Sequence, residues 1–265
     1  MRTPVITIFV VCVLIMGLAL ALYDYRKHGV RQQDIGISKS QAHKLKTTSE
    51  SAAEQSHKED YETAIDEYKR ALKISPRDAY LHNDLGTAYY RLGLESINPP
   101  VEEGDFGYGN EVDARHLEGS EPLEEVKQEL SKMESGIVTA VVNDESKEKE
   151  ISTYARSLGH YAHVEEEAKE NGGKEFWVTI ITGKTREAFL DAEREYLRAI
   201  NIKSIKDGNG RRYSNYATAS RNIGTLYFRM GRKRDAVTQW RRAFQLEPTD
   251  AELRNLLGKY ESIPE

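Results

Sequence analysis

Ile223-Gly224-Thr225-Leu226-Tyr227, followed twelve residues after Gly224 by Ala236-Val237-Thr238-Gln239-Trp240-Arg241-Arg242-Ala243, is the stretch that decides the fold. Two alanines seven apart with a large ring between them fall on one stripe of a helix. Small residues there let a neighbouring helix approach closely, and a helix carrying such a stripe cannot bury it alone. Gly231, between the two tracts, breaks the chain into two helices.

Working outward, the Ala-x3-Tyr/Trp-x2-Ala pattern recurs at Ala64/Tyr68/Ala71 and Ala192/Tyr196/Ala199. Leu85-Gly86-x2-Tyr89 repeats the first tract, and Pro76 and Pro248 each follow the last alanine of a copy by five residues. Ala71 to Gly86 and Ala243 to Gly258 are both fifteen residues. This pattern resembles the tetratricopeptide repeat (TPR), a helix-turn-helix unit of about 34 residues. The resemblance covers residues 45–93 and 186–262. It implies a mainly α fold: a short TPR-like helical solenoid, here with a small α/β insertion and one N-terminal transmembrane helix.

The departures from the pattern set the organisation. In the first unit, Ser51, Ala52 and Gln55 stand where the family has Leu, Gly and Tyr, so that helix reads as a polar cap or as one completed by something else. In the second unit, whose helices are expected at 79–92 and 186–202, Gly86 and Ala192 are 106 residues apart instead of twelve, so about 94 residues enter at the turn inside one repeat. The third unit runs unbroken from Ala217 to Asp250, and the helix after it, 251–261, turns charged as a solenoid end does. Expected segments are therefore an anchor (1–23), a polar stalk (24–50), repeats (51–93), an acidic loop with a small α/β insertion (94–185), and repeats with a capping helix (186–265).

Val5 to Leu22 is 18 residues without a charge, long enough to span a bilayer as a helix. Ala19-Leu20-Ala21 also fits a signal-peptide cleavage site, but the apolar run exceeds the usual signal core, which favours an uncleaved single-pass anchor. Arg26, Lys27 and Arg31 after the segment outnumber Arg2 before it, a slight lean toward a cytoplasmic soluble part that leaves the side open. The net charge of -5 with no long basic run argues against nucleic acid. With one cysteine, Cys12, neither an intramolecular disulfide nor a cysteine-ligated zinc site can form.

Within the insertion, 98–122 reads as an acidic surface loop, 123–133 as a helix, 137–142 as a strand, 145–170 as a helix and 175–182 as a strand. Both strands are apolar on alternate faces and call for cover on both sides. If neighbours, they make a parallel crossover through the intervening helix. A two-stranded sheet is marginal alone, so it packs on the repeats or pairs with another chain, which leaves open an oligomer through the insertion strands.

Catalytic signals are weak. Gly183-Lys184-Thr185 lacks the glycine a phosphate-binding loop needs at position 178, which is Val178, so it reads as a strand exit with Thr185 capping a helix from Arg186. His160, His163 and Glu167 share a face if their segment is helical, but a helix this charged makes them solvent-facing residues rather than metal ligands. Asp207-Gly208-Asn209-Gly210 is a turn. No catalytic set stands out, and neither enzyme activity, metal nor cofactor is expected. What remains is protein binding. By the resemblance, a peptide groove would present Tyr80, Asn83, Thr87, Tyr90 and Arg91 from the second repeat, with Thr218, Arg221, Asn222, Thr225, Phe228 and Arg229 from the third. Aromatics beside arginines suit a protein or peptide partner with an acidic or carboxylate group. The function implied is a membrane-anchored interaction scaffold or assembly factor. The alternative is a structural subunit that makes its contacts through the insertion, with an enzyme using the insertion behind both.

Overall fold

Ala64, Ile65, Tyr68 and Ala71 form the buried stripe of the first described helix, α1 (Tyr61–Ile74). The computed structural model describes residues 61–97, 109–169, 172–202 and 217–260. All of them belong to one compact unit formed by residues 48–203 and 214–265. The apolar segment 5–22, the stalk, the first helix of the first repeat, residues 98–108 of the acidic loop and the Asp207–Gly210 turn lie outside the described residues. Among the described residues no helix is long and apolar enough to cross a membrane.

α2 (Ala79–Glu95) starts where Asp78, in an extended conformation, accepts hydrogen bonds from the Tyr80 N–H (2.9 Å) and the Leu81 N–H (3.3 Å). Its partner is not the next helix in sequence but α5 (Gly183–Asn201), which buries Ala192, Tyr196 and Ala199. Gly86 permits the approach: a Cβ there would lie 2.8 Å from Cδ1 of Tyr196. In the third repeat α6 (Ala217–Arg229) pairs with α7 (Lys233–Leu246) in the same way, and a Cβ on Gly224 would lie 2.5 Å from Cδ1 of Trp240. α8 (Ala251–Tyr260) closes the array on α7.

Between α2 and α5 sit β1 (Asn110–Asp113), α3 (Glu121–Ser131), β2 (Gly136–Val142), α4 (Glu145–Ser157), β3 (Tyr161–Ala168) and β4 (Lys174–Thr182). The sheet has four strands in the order β1-β2-β4-β3. β1 runs parallel to β2, with Val112 opposite Ala140, while β4 is antiparallel to both β2 and β3. The two strands expected from sequence are thus the central pair, and they run antiparallel; the parallel crossover joins β1 to β2 through α3 instead. Each has a strand on both sides, so neither offers an open edge to a second chain. On the outer strand β3, Arg156 donates to the Ala162 carbonyl (3.2 Å) and Arg234 to the Glu166 carbonyl (3.0 Å). Charged side chains on an edge discourage further pairing.

The expected helix over 145–170 breaks at Gly159. The His160 N–H donates to the Ala155 carbonyl (3.1 Å) and the Gly159 N–H to the Arg156 carbonyl (2.9 Å), with Gly159 at φ 77°. These are the two bonds of a Schellman stop, which needs a left-handed residue at that place. The third repeat uses the same device at Gly231, with Arg232 N–H to Tyr227 O and Gly231 N–H to Phe228 O.

Two-sided burial of the central strands has two sources. Val138, Ala140 and Val142 of β2, with Phe176, Val178 and Ile180 of β4, join Leu123, Val126 and Leu130 of α3 and Ile151 and Ala155 of α4 in one core. The opposite face carries Ile137, Thr139 and Val141 paired with Ile181, Thr179 and Trp177, and this face meets the repeats. Thr179 touches the α6–α7 turn so closely that a Cβ on Gly231 would collide with it. Lys233 stands 4.1 Å over the Trp177 ring, and Arg234 reaches Glu165 at 3.4 Å. The insertion packs on the repeat helices, as its strand pattern requires. Helix α5 begins at Gly183 rather than Arg186, and Thr185 is not its cap. Instead Ser135, just before β2, accepts the Thr185 N–H at 2.8 Å and meets its hydroxyl at 2.9 Å.

Candidate functional site

The eleven groove positions do not share one environment. Tyr80 and Thr218, near the starts of α2 and α6, face solvent, Tyr80 with 52% of its surface exposed. Asn83, Thr87 and Asn222 hold the two helices together: the Asn222 amide donates to Asn83 Oδ1 at 3.1 Å and to Thr87 Oγ1 at 3.5 Å, and the Tyr196 hydroxyl donates to Thr87 Oγ1 at 3.2 Å. Thr87 and Thr225 return their hydroxyls to carbonyls one turn back, Asn83 O and Arg221 O. The first helices of consecutive repeats are therefore stitched into one continuous face, and Asn83, only 6% exposed, is structural.

Phe228 and Arg229 do not line a groove. Phe228 is 2% exposed and packs against Trp240 (ring centroids 5.5 Å) and Tyr260 (4.7 Å), because α8 covers the end of α6. Arg229 is also buried and faces Tyr90. Burial raises the Tyr90 hydroxyl above its usual range, and the Arg229 charge and hydrogen bond oppose that rise. The Tyr90 ring itself stacks on Phe189 at 5.7 Å. Arg91 is half-buried. Arg221 already meets Asp250 (3.4 Å) and Glu252 (3.1 Å) at the start of α8. An acidic ligand at Arg221 would have to compete with both carboxylates.

Sequence reasoning passed over a buried polar pair beneath this face. His82 Nδ1 lies 2.7 Å from Glu195 Oε2, and Arg198 donates to Glu195 Oε1 at 2.7 Å. Burial pushes the Glu195 carboxyl up, but the His82 hydrogen bond and the Arg198 charge outweigh it, so the group sits below the usual carboxylate range. The signal was available. Glu195 directly precedes Tyr196 in the buried stripe, and a carboxylate placed there needs partners.

Metal ligation by the histidines has no geometric basis. His160 precedes β3 and His163 lies within it, so the helical spacing does not apply; His163 Nε2 instead meets Glu165 at 3.3 Å. No group of three or more metal-ligating residues forms among the described residues. Val178, where a phosphate loop needs glycine, is fully buried in β4.

The start of α3 is the other place where chemistry could sit. Arg115 grips Asp113 through Nε (2.7 Å) and Nη2 (2.6 Å) and extends Nη1 to Glu175 at 2.9 Å. These hydrogen bonds hold the Asp113 carboxyl down at about 2. Lys169 completes the cluster at 2.7 Å from Glu175. Beyond it come Gly119, at φ 57°, and Ser120, whose side chain makes no capping bond to the helix.

Two family models match separate parts of the chain. The TPR repeat model matches residues 57–93, and the model of sulfurtransferase TusA matches residues 110–180. No curated protein matches the chain. Among solved structures, the chain is similar to the first TPR domain of the human RPAP3 protein, with 14% identity over 83% of this chain and 91% of that one, at a TM-score of 0.42. A SirA-like protein from Desulfitobacterium hafniense shares 25% identity, covering 28% of this chain and 96% of that chain at a TM-score of 0.24. MamA shares 14% identity over 83% and 81% of the two chains, at a TM-score of 0.25. The TusA-like segment begins and ends with the observed sheet: β1 starts at Asn110 and Ile180 lies in β4. That segment contains no cysteine, since the only one in the chain is Cys12.

Proposed function

We propose that the chain is a membrane-anchored scaffold or assembly factor that holds a protein partner on its TPR-like helices, and that its TusA-like insertion binds or braces without transferring sulfur. The supporting observation is the joint between α2 and α6. The Asn222 bridge to Asn83 and Thr87 makes one uninterrupted face from two repeats, although 87 residues separate α2 from α5. A continuous helical face is what a repeat array offers to a protein ligand. Tyr80 and Thr218 are its exposed elements, and Arg91 is half-buried. Passing sulfur along as a protein persulfide needs a thiolate nucleophile, and residues 110–180 have no thiol to offer. Residues 5–22 supply the membrane attachment, on the strength of their length and lack of charge.

Three measurements test the parts separately. Alkaline extraction of membranes should leave the full chain in the pellet and release a form lacking residues 1–23; release of both would end the anchor reading. Crosslinking followed by mass spectrometry should place a partner protein on Tyr80 or Thr218, and Tyr80→Ala should reduce that crosslink. Crosslinks confined to 110–180 would instead assign binding to the insertion. Incubation with a persulfide donor should add no sulfur to residues 110–180, and any sulfur found there would overturn the non-transfer reading.

A further inference from the structure

The second surface of the repeats has the opposite character to the whole chain. Between α1 and α5 lies an open cleft of about 1210 Å³. Six exposed cations line it: Lys69, Arg70, Lys73 and Arg77 along α1 and just past its end, and Arg194 and Arg198 on α5. Against them stand Asp66 and Glu195 in the lining, with Glu195 held by His82 and Arg198, and beside the lining Glu67 and Asp191, which pair with Arg70 at 2.5 Å and Arg194 at 2.6 Å; the cations still outnumber these carboxylates. Lys73 and Arg77 form no ion pair with another described residue. On a chain of net charge -5, this is a local concentration of positive charge rather than a general basic character.

The floor of the cleft is apolar. Leu85 and Tyr89 of α2 form most of it beside the His82–Glu195 pair, with Ile202 at one end. Beside the cleft, Leu197 is an exposed apolar side chain on α5, and with Leu190, seven residues earlier, it borders a shallow depression that shares Arg194 and Arg198 with the cleft. A trough between two helices, apolar below and charged on both rims at the helical repeat, is matched by a third helix with an apolar stripe and acidic flanks. Arg198 and Arg194 are one turn apart, as are Lys73 and Lys69, so carboxylates spaced by a turn on the incoming helix meet both rims.

We propose that the α1–α5 cleft is a docking site for an acidic amphipathic helix of a partner protein, distinct from the α2–α6 face. The α2–α6 reading and this one stand apart, because Tyr80 and Thr218 do not line the cleft.

The test uses the full chain in detergent and a fluorescent synthetic helix with leucines on one face and glutamates on its flanks. Anisotropy should show saturable binding that weakens steeply as salt rises. Lys73→Glu with Arg77→Glu should lower affinity by at least about tenfold, while Tyr80→Ala leaves it unchanged; both variants should melt with the parent. A loss caused equally by Tyr80→Ala, or no saturable binding, overturns the proposal. So does equal competition by a single-stranded oligonucleotide, which would mark the cleft as a general anion surface. Binding that emerges only after Glu102, Glu103 and Asp105 are replaced by Ser would show that the chain's own acidic loop fills the cleft, and would also overturn it.

Discussion

The second repeat is interrupted by a whole domain and the third is continuous, yet their helix pairs are joined in the same way. Gly86 lies against Tyr196 in one, and Gly224 against Trp240 in the other. The third repeat turns from α6 to α7 on a single Schellman stop at Gly231, whereas the second turns through four strands and two helices. Helix pairing is therefore specified by the stripe of small and aromatic residues, not by the length of the connection. A flexible loop costs only about 0.6 kcal/mol for each doubling of its length, and a folded insertion fixes its own ends. Ser135 belongs to the insertion, yet it satisfies the N-terminus of α5. The graft has become part of the repeat it splits.

Removing the aromatic from each joint is the strongest challenge to this equivalence. Tyr196→Ala and Trp240→Ala each remove a ring that is at most 1% exposed, and each should cost about 3–5 kcal/mol by urea unfolding. A much smaller loss for Tyr196 would mean that the split repeat is held by its insertion and not by its stripe. Filling the joints from the other side is the next test. Gly86→Ala and Gly224→Ala should each destabilise by about 1–3 kcal/mol through overpacking, even though alanine is favoured in helices. A stabilised variant at either site would show that the ring can move aside.

Ser135→Ala probes the one cap that the continuous repeat does not share, and should cost about 1 kcal/mol, with the early amides of α5 exchanging faster. Unchanged exchange would separate the insertion from the repeat energetically.

The smallest effect should appear on acidification. At the places of His82 and Glu195 the third repeat has Ser220 and Gln239, and neither Ser220 Oγ nor Gln239 Oε1 finds a hydrogen-bond partner among the described residues. Glu195 has its carboxyl lowered from 4.5 in the fold. Its contribution is thus present above that value and fades as pH falls through the lowered one. Hydrogen exchange below pH 4.5 should loosen α2 and α5 before α6 and α7, and Glu195→Gln should remove the difference. Simultaneous loosening in the parent would place the acid-sensitive group elsewhere.

Legibility in the sequence followed the range of the interactions. The helices of both repeats, the site of the interruption and the two central strands could be read because each announces itself within a few turns or a few alternations. β3 could not. Its segment, Tyr161–Ala168, carries three consecutive glutamates, and only Ala162 and Val164 mark its apolar face. The helix-forming composition outweighed Gly159, which was the available stop signal. β1 is four residues long and gains its identity from register with β2. In the candidate site, Tyr80 and Thr218 were placed on the surface by the repeat pattern alone. Phe228 was misplaced because its cover, Tyr260, comes from a helix outside its own repeat.

The sequence by itself determined that helices with small-and-aromatic stripes must pair, where one pair is opened, that residues 5–22 carry no charge, and that no thiol lies within the insertion. These are properties of composition and local period. Tertiary structure alone decided the sheet order, the docking of Thr179 and Trp177 on the third repeat, the His82–Glu195 pair and the cation-lined cleft between α1 and α5. Each joins residues far apart in the chain, and no local periodicity records which distant side chain will complete a buried charge or cover an apolar face.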